Sequence, residues 1–369
     1  MNSRAQGSLS LRVAIVTDAW HPQVNGVVRT LDTTRENLVR LGHEVLMVTP
    51  ERFRTFPCPT YPSIRLAVWP ASGVAHALRN FQPQAIHIAT EGPLGHVARR
   101  FCRRFQLPFT TSFHTQFPEY IRLRAPVPVT WTYAYLRAFH GAAVRTLVPT
   151  ASQRDKLLTR GFSNLHLWAR GVDLNTFNPQ DPVHLDYPRP IAVYMGRVAV
   201  EKNIEAFLDL PGPTTKLVIG DGPDFEQLRR RYPHAHFIGA KYGRELARFV
   251  AAGDVFVFPS KTDTFGLVLL EAMACGLPVA AYPVQGPIDV VEHGVSGCLD
   301  IDLGTAIEGA LGLPREAAIA HARRYAWADC TARFASYLAP IDDSTARSVF
   351  KSYGPSRCTK VLTTLDGSS

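Results

Sequence analysis

The chain has 369 residues, of which 46% are hydrophobic and 19% are charged, and its formal net charge is +9. These globular values exclude a largely disordered chain, and the length predicts about two domains. No uninterrupted apolar run approaches 18 residues and no long apolar segment precedes a cleavage site, so we expect neither a membrane-spanning helix nor a signal peptide. The six cysteines show no C-x-x-C spacing, which favours isolated thiols in a reducing compartment over a metal site or disulfides.

Strand and helix patterns alternate along the first half of the chain, which is typical of a parallel sheet covered by helices. The segment LRVAIVTD predicts a strand, NGVVRTLDTTRENLVRLG predicts an amphipathic helix that ends at Gly42, and HEVLMVTP predicts the next strand. Further short strands are predicted over 85–90, 108–114 and 146–151. We assign residues 1–180 to an N-terminal domain.

The proline-rich stretch FNPQDPVHLDYPRP is the predicted linker to a second domain. Successive strands are predicted at IAVYMGRV, KLVIGDG, HAHFIGA, VFVFPS and PVAAYPV. We place this domain at 181–325, a helix that returns to the N-terminal domain at 326–340, and a loose polar tail at 341–369. The predicted fold class is α/β, with two doubly wound, Rossmann-like domains.

The excess positive charge lies in the first part of the chain. Residues 1–150 hold 17 arginines, no lysine and 7 acidic residues, whereas the remainder holds 23 basic and 24 acidic residues. The segments VARRFCRRFQ and YIRLRAPVPVTWTYAYLRAFH interleave arginines with aromatic residues, which suits a surface that lies on anionic lipid headgroups. A packed helix with arginines on its solvated face is the alternative. We find no recognisable element for reading nucleic acid.

Two motifs in the second half predict an anion site. In MGRVAVEKN, Arg197 and Lys202 follow a strand and lead into a helix, where they can hold the two phosphates of a diphosphate. In KTDTFGLVLLEAMACGLPVAA, Gly266 stands at a helix start, where free backbone N–H groups favour an anion. Asp263 and Glu271 flank that start. The alternatives are a solvated loop for the first motif, and a helix cap with a solvated glutamate for the second.

Other signals are weaker. Gly26 begins a helix, so its backbone can approach a phosphate or a sugar closely. His114 stands at the carboxyl end of a predicted strand and is a catalytic candidate, with a structural histidine as the alternative. Lys241 follows the strand HAHFIGA and is a guess for a contact with a nucleobase. VIGDGPDF lacks the third glycine of a dinucleotide fingerprint. CLDID has a metal-binding spacing but occurs late in the chain, so we expect no metal there.

Together these motifs resemble glycosyltransferase family 4, the retaining nucleotide-sugar transferases of the GT-B fold, in which two Rossmann-like domains face each other across a cleft. GRVAVEKN and DTFGLVLLEAMACGLPVAA carry the resemblance, which runs from Val13 to Leu338. TDAWHPQVNGVVRTL is similar to a branch of bacterial lipid glycosyltransferases that includes mannosyl, glucuronosyl and sulfoquinovosyl lipid synthases. The motifs are specific for the family and less specific for the donor or the acceptor.

The resemblance assigns roles to individual residues. Arg197 and Lys202 would bind the donor diphosphate, and Glu271 would hold the ribose hydroxyls. The donor-binding set that it implies is Gly26, Arg197, Lys202, Asp263, Thr264, Phe265, Gly266, Leu267 and Glu271, and the catalytic set is His114, Asp263, Arg197 and Lys202. The usual family pattern has glutamate where this chain has Asp263, which is one methylene shorter. The donor sugar is therefore harder to infer.

The implied reaction moves a hexose or hexuronic acid from a nucleoside diphosphate sugar to a membrane lipid such as diacylglycerol, with retention and an α-linkage. A UDP-sugar is favoured and GDP-mannose is possible. No cofactor or metal is expected, because positive side chains neutralise the leaving diphosphate. We expect a cytoplasmic protein, peripherally bound to the inner face of the membrane. The alternatives are a polysaccharide or soluble acceptor, or a GT-B-type sugar-nucleotide epimerase; a bilobal binding protein is disfavoured.

Overall fold

The structure is a computed structural model that describes residues 10–23, 26–58, 61–114, 128–261, 263 and 265–351. Its contacts divide the chain into two compact units. The first unit holds the residues up to Gln23, Leu41–Thr111 and the segment from Leu338 onward, and the second holds Val24–Arg40 and Ser112–Tyr337. Helix α1 (Gly26–Arg40) therefore belongs by its contacts to the second unit.

The first sheet has six strands. They are β1 (Arg12–Val16), β2 (Glu44–Val48), β5 (Ala85–Ile88), β6 (Thr110–Ser112), β7 (Arg145–Val148) and β8 (Leu165–Leu167), in the order β2-β1-β5-β6-β7-β8. The boundary between the two units passes through β6. An antiparallel hairpin is formed by β3 (Thr55–Cys58) and β4 (Tyr61–Ala67). The helices of this part of the chain after α1 are α2 (Ala71–Phe81), α3 (Pro93–Arg104), α4 (Val129–His140) and α5 (Ala151–Leu158).

The second sheet lies entirely in the second unit. Its strands are β9 (Ile191–Met195), β10 (Thr215–Ile219), β11 (His236–Phe237), β12 (Val255–Phe258), β13 (Val279–Ala281) and β14 (Gly297–Leu299), in the order β11-β10-β9-β12-β13-β14. All its described pairings are parallel. This is the strand order of the dinucleotide-binding fold, and its direction reverses between β9 and β12. Ligands bind at the carboxyl ends of the strands at such a switch point.

Nine further helices follow β8 in the chain. They are α6 (Glu205–Leu208), α7 (Phe225–Arg231), α8 (Gly243–Ala251), α9 (Leu267–Ala274), α10 (Pro287–Val290), α11 (Leu303–Leu311), α12 (Arg315–Arg323), α13 (Trp327–Tyr337) and α14 (Asp343–Lys351), counted over the described residues. Among the residues that the structure describes, no helix is both long enough and apolar enough to span a bilayer.

The apolar segments on either side of the predicted anion site, β12 and α9, form part of the core of the second unit. Every residue of β9 and β12 is buried, and α9 is buried from Leu269 to Ala274. Phe256, Phe258 and Leu269 belong to one cluster with these elements. Burial of each large apolar side chain contributes about 1.5–3 kcal/mol. The loop between β12 and α9 is therefore held at both ends by rigid, buried elements.

The prediction of a loose tail over 341–369 is wrong for its first part. Helix α14 lies inside this stretch, and Ala346, Val349 and Phe350 on it are buried. These residues are spaced by three and four positions and form a short apolar face, which the surrounding polar residues hide in the sequence. The Phe350 ring stacks at 6.4 Å from the ring of Phe101 in the same unit. Residues 352–369 lie outside the described residues.

Candidate active site

The loop after β9 is tied to the neighbouring strand end. The Tyr194 hydroxyl donates to the carbonyl of Arg197 at 2.7 Å, and the Asn203 side-chain amide donates to the carbonyl of Pro259 at 3.0 Å. A Cβ at Gly220 would lie only 1.8 Å from the carbonyl oxygen of Gly196, so the turn after β10 needs glycine to pack on this loop. The G-x-G of VIGDG therefore has a packing role. These contacts fix the loop that carries Arg197 and Lys202.

The structure brings Lys202 and Asp263 together at the switch point. The Lys202 ammonium donates to Asp263 Oδ2 at 3.0 Å, although the two residues are 61 positions apart. Both side chains are largely covered, at 26% and 19% exposure. A diphosphate bound to Lys202 would compete with Asp263 for the ammonium. Arg197 makes a long, exposed pair with Glu201 at 3.9 Å, a type of pair that contributes little, so its guanidinium can turn to a ligand at small cost.

The start of α9 has the geometry that an anion site requires. Gly266 has φ +79°, and a Cβ there would lie 2.8 Å from Leu269 Cδ1, so glycine is needed at this position. The Phe265 amide donates to Asp263 Oδ1 at 3.4 Å, and the Phe265 side chain is buried. The first-turn N–H groups of α9 are of the kind that bind anions. Thr264, assigned to the same set from the sequence, lies outside the described residues.

Glu271 is a buried carboxylate with a cationic partner. It is 4% exposed and accepts a hydrogen bond from the guanidinium of Arg29 on α1. Burial raises the pKa of Glu271 above its usual value, and the charge and hydrogen bond of Arg29 oppose that shift. One turn before Arg29, a Cβ at Gly26 would lie 3.7 Å from Leu267 Cδ1. The first turns of α1 and α9 therefore meet, and they bring Gly26, Leu267 and Glu271 into one region of the second unit.

His114 belongs to a second set of contacts. Its Nε2 lies 2.7 Å from the Ser112 hydroxyl, and its Nδ1 lies 3.0 Å from the guanidinium of Arg170. Arg170 is 4% exposed, donates to the Trp168 carbonyl and lies 4.5 Å over the Trp168 ring. Burial lowers the pKa of Arg170 to about 9. Because a guanidinium only donates, His114 Nδ1 must accept, and the imidazole is neutral with its proton at Nε2.

Sequence reasoning missed Arg29 and Arg170. Arg29 lies three positions after Gly26, and residues at that spacing share a helix face, so its proximity to the site could have been inferred. Arg170 follows the carboxyl end of β8, which is the kind of position used to select His114. Arg29 was counted only within the positive charge of residues 1–150, and Arg170 was not singled out.

Two further predicted positions have local partners. The Lys241 ammonium pairs with Glu245 at 2.6 Å and lies 5.2 Å from the Phe249 ring, and its contact with a nucleobase stays a prediction. In CLDID, Asp302 accepts from the amide of Thr305 at 2.7 Å and caps α11. Hydrogen bonds from Thr305 lower the pKa of Asp302. Asp302 therefore has a structural role as a helix cap, and Asp300 accepts from the Asp302 amide at 2.8 Å.

The switch point of the first sheet is filled by the chain's own carboxylate. Asp18, after β1, is buried and accepts from the amides of Leu94 and Gly95 in the first turn of α3 and from the Thr90 hydroxyl. Burial raises the pKa of Asp18, and these hydrogen bonds oppose the rise. The first-turn amides of α3 are therefore bound by the chain's own carboxylate.

Comparison with known proteins assigns the family. Residues 24–176 match the model described as Glycosyltransferase Family 4, and residues 189–308 match Glycosyl transferases group 1. A GDP-mannose-dependent alpha-mannosyltransferase of Mycobacterium tuberculosis is 33% identical over 316 residues, which cover 78% of this chain and 83% of the relative. The chain belongs to glycosyltransferase family 4. It is a hexosyltransferase, as its resemblance implied.

Other relatives of this glycosyltransferase differ in their named products. The sulfoquinovosyl transferase SQD2 of Arabidopsis thaliana is 34% identical over 71% of this chain and 58% of its own length. An alpha-monoglucosyldiacylglycerol synthase of Acholeplasma laidlawii is 23% identical over 73% of this chain and 79% of its own length. The solved sucrose-phosphate synthase from Thermosynechococcus elongatus aligns with a TM-score of 0.67 and 21% identity, over 88% of this chain and 98% of that one. The predicted GT-B fold is confirmed.

Proposed function

We propose that this glycosyltransferase moves a hexose from a nucleoside diphosphate sugar to a membrane lipid, with retention and an α-linkage. The observation that carries the donor half is the convergence of Lys202, Asp263 and the start of α9 at the switch point of a dinucleotide-type sheet. Glu271 and Gly26 lie in the same region of the unit. In this proposal Lys202 and the start of α9 bind phosphate, Asp263 contacts the sugar, and Glu271 binds the ribose.

The chemistry follows from these groups. As the diphosphate departs, Lys202, Arg197 and the N–H groups of α9 stabilise its growing negative charge. The leaving phosphate can accept the proton of the acceptor hydroxyl, so the mechanism requires no separate protein base. Asp263 would contact hydroxyls of the transferred sugar, and neutral His114 would lie near its reacting face. Metal independence stays a prediction, which rests on the positive side chains.

The donor that we propose first is GDP-mannose. The sequence alone favoured a UDP-sugar, but the mycobacterial relative at 33% identity is named for GDP-mannose. A UDP-sugar is the second candidate, supported by the relative that is named an alpha-monoglucosyldiacylglycerol synthase.

The proposal of a lipid acceptor is supported by the positive charge of α3 and by the name of one relative. The solvated face of α3 carries His96, Arg99, Arg100, Arg103 and Arg104, which line a concavity of about 400 Å³. Such a cationic face attracts anionic lipid headgroups. The Acholeplasma relative is named for a diacylglycerol product. We therefore propose peripheral binding to the inner face of the membrane and a lipid acceptor such as diacylglycerol.

A donor screen tests the proposal. The purified protein is incubated in mixed micelles of diacylglycerol and an anionic phospholipid with GDP-mannose, UDP-glucose, UDP-glucuronic acid or UDP-galactose, and lipid products are identified by mass spectrometry. We expect a new glycolipid from one donor. Donor hydrolysis without a glycolipid would contradict the lipid acceptor, and conversion of one sugar nucleotide into another would favour the epimerase.

A further inference from the structure

We propose that Arg29 is a positioning residue of the donor site, which holds Glu271 as an oriented carboxylate for the ribose hydroxyls of the nucleotide. This inference rests on the proposed function, because the ribose contact of Glu271 is part of it. Arg29 lies on α1 within TDAWHPQVNGVVRTL, and neither the sequence nor the resemblance assigned it a role.

The geometry connects Arg29 to the site through one buried side chain. Glu271 is buried in α9, and one of its oxygens, Oε1, accepts the hydrogen bond from Arg29. The Arg29 side chain is 51% exposed, whereas that of Glu271 is 5% exposed. The ion pair therefore joins a buried carboxylate to a guanidinium that reaches the protein surface. A Cβ added at Gly26 would lie 3.7 Å from Leu267 Cδ1, so the two helices also approach each other one turn before Arg29.

The chemistry explains why a cation is needed beside this carboxylate. A carboxylate has about four lone-pair positions, so Glu271 can accept from Arg29 and from two hydroxyls at once. A hydrogen-bonded guanidinium also fixes the orientation of its partner. Without a cation, a buried carboxyl tends to take up a proton, and it then accepts fewer hydrogen bonds. Arg29 therefore favours the ionised form of Glu271, which is the form that a ribose requires.

Few other groups can set the ionisation of Glu271. Among the described residues, the charged or titratable groups that act on it are Arg29 on α1 and the Cys275 thiol, just after α9. Burial raises the pKa of Cys275 to about 12, so the thiol is neutral near pH 7. Burial is already the largest influence on Glu271 and raises its pKa, and removal of Arg29 removes the charge and the hydrogen bond that oppose this rise.

The test compares ligands with and without a ribose. Binding of GDP, UDP and inorganic pyrophosphate is measured by isothermal titration calorimetry for the wild type, Arg29→Ala and Arg29→Lys. The wild type is expected to bind GDP or UDP. For Arg29→Ala, we expect the affinity for that nucleotide to be at least about tenfold lower, a loss of about 1.4 kcal/mol of binding free energy. Pyrophosphate affinity should be unchanged. The loss should be larger at about pH 6 than at about pH 8.5, because protonation of Glu271 falls as pH rises.

A matched control and a second variant keep the test decisive. Arg35→Ala removes an arginine from the same helix, where Arg35 pairs with Asp32, and should bind like the wild type. Arg29→Lys keeps the positive charge but lacks the planar guanidinium. Its loss of affinity should therefore be smaller than that of Arg29→Ala and again confined to nucleotides. If Arg29→Ala does not fold, as judged by circular dichroism, the lysine variant carries the test.

Two results would overturn the inference. One is unchanged nucleotide affinity in Arg29→Ala or, where only the lysine variant folds, in Arg29→Lys. The other is an equal loss of pyrophosphate affinity, which would place Arg29 on the phosphates. A wild type that binds neither GDP nor UDP would instead contradict the proposed function, so the two failures are distinguishable.

Discussion

Lys202 and Asp263 form the residue pair at the centre of the proposed donor site. The two come from different loops and meet at 3.0 Å because β9 and β12 are neighbours in the sheet. Asp263 takes the position where the family usually has glutamate. Its shorter side chain still reaches both Lys202 and the Phe265 amide. The aspartate is therefore compatible with an organised site.

Removal of the Lys202 ammonium should slow transfer. We expect Lys202→Ala to lower kcat/KM for the donor more than about tenfold, or about 1.4 kcal/mol, because a cation is lost where the leaving diphosphate gains charge. Lys156→Ala, which removes a lysine from α5, is the control and should keep normal kinetics. Steady-state rates with varied donor concentration give the comparison, and a near-normal kcat/KM for Lys202→Ala would remove this residue from the site.

Substitution of Gly26 should affect ligand binding without lowering the stability of the fold. An added Cβ would make only an ordinary contact, at 3.7 Å from Leu267, and alanine favours helix more than glycine does. We therefore expect Gly26→Ala to leave the unfolding temperature unchanged or raised. Its donor affinity should fall about tenfold, because the Cβ would occupy the space by the phosphate. Unchanged donor affinity would show that no phosphate comes close to Gly26.

At the scale of elements, α9 is the part of the fold that the site depends on most. Its apolar sequence is explained by burial from Leu269 to Ala274. Its first turn is set by Gly266 in the left-handed region. The buried face anchors the helix, so the N–H groups at its start stay in a fixed position for an anion.

Substitution of Gly266 should therefore affect stability as well as activity. In Gly266→Ala, the left-handed φ and the contact at 2.8 Å from Leu269 should together destabilise the second unit by about 1–2 kcal/mol. Thermal unfolding followed by circular dichroism measures this. Gly312→Ala is the matched control, since Gly312 has φ −78° and an added Cβ would lie 3.6 Å from the nearest atom outside its chain neighbours. Equal unfolding temperatures in both variants would contradict the strain argument.

Helix α3 carries the second element-scale prediction. Its buried face includes Leu94, Ala98, Phe101 and Cys102, and the arginines lie on the other side. Replacing Arg100, Arg103 and Arg104 by alanine should weaken binding to vesicles that contain anionic phospholipid by roughly a hundredfold, at about 1 kcal/mol per arginine.

The control for α3 makes the same change of charge elsewhere. Arg229, Arg230 and Arg231 on α7 are exposed, and their replacement by alanine should leave vesicle binding nearly unchanged. Vesicle flotation at low salt measures both variants, and added salt should weaken the wild type as well. Equal losses in the two triple variants would mean that total charge, and not α3, drives binding.

At the scale of the whole molecule, the sequence predicted most of the sheets and only part of the site. The strands β9, β10, β11, β12 and β13 were all predicted, because each is a short apolar run bounded by turn residues. Strands β3, β8 and β14 were missed because they have only three or four residues, β4 because Pro62 and Arg65 interrupt its apolar pattern, and α14 because it carries few apolar residues. Short elements are stabilised by their neighbours, and a local pattern does not contain that information.

The same limit applies to the site. Lys202 was selected because strand ends of one sheet converge, whereas the roles of Asp263 and Glu271 came from the family resemblance, and all of these roles stay predictions. The position of Arg29 near Gly26 could have been inferred from the helix spacing, but its pairing with Glu271 could not, because the two residues are 242 positions apart. Such a pairing depends on how elements pack, so it required the structure.

The stoichiometry of the reaction tests the central claim of sugar transfer to a lipid most directly. Nucleoside diphosphate release and glycolipid formation are measured together, with and without diacylglycerol in the micelles, using the donor that the screen selects. We predict one nucleoside diphosphate released per glycolipid formed, and almost no release without the lipid. Equal release with and without the lipid, or conversion of the donor without release, would contradict the account.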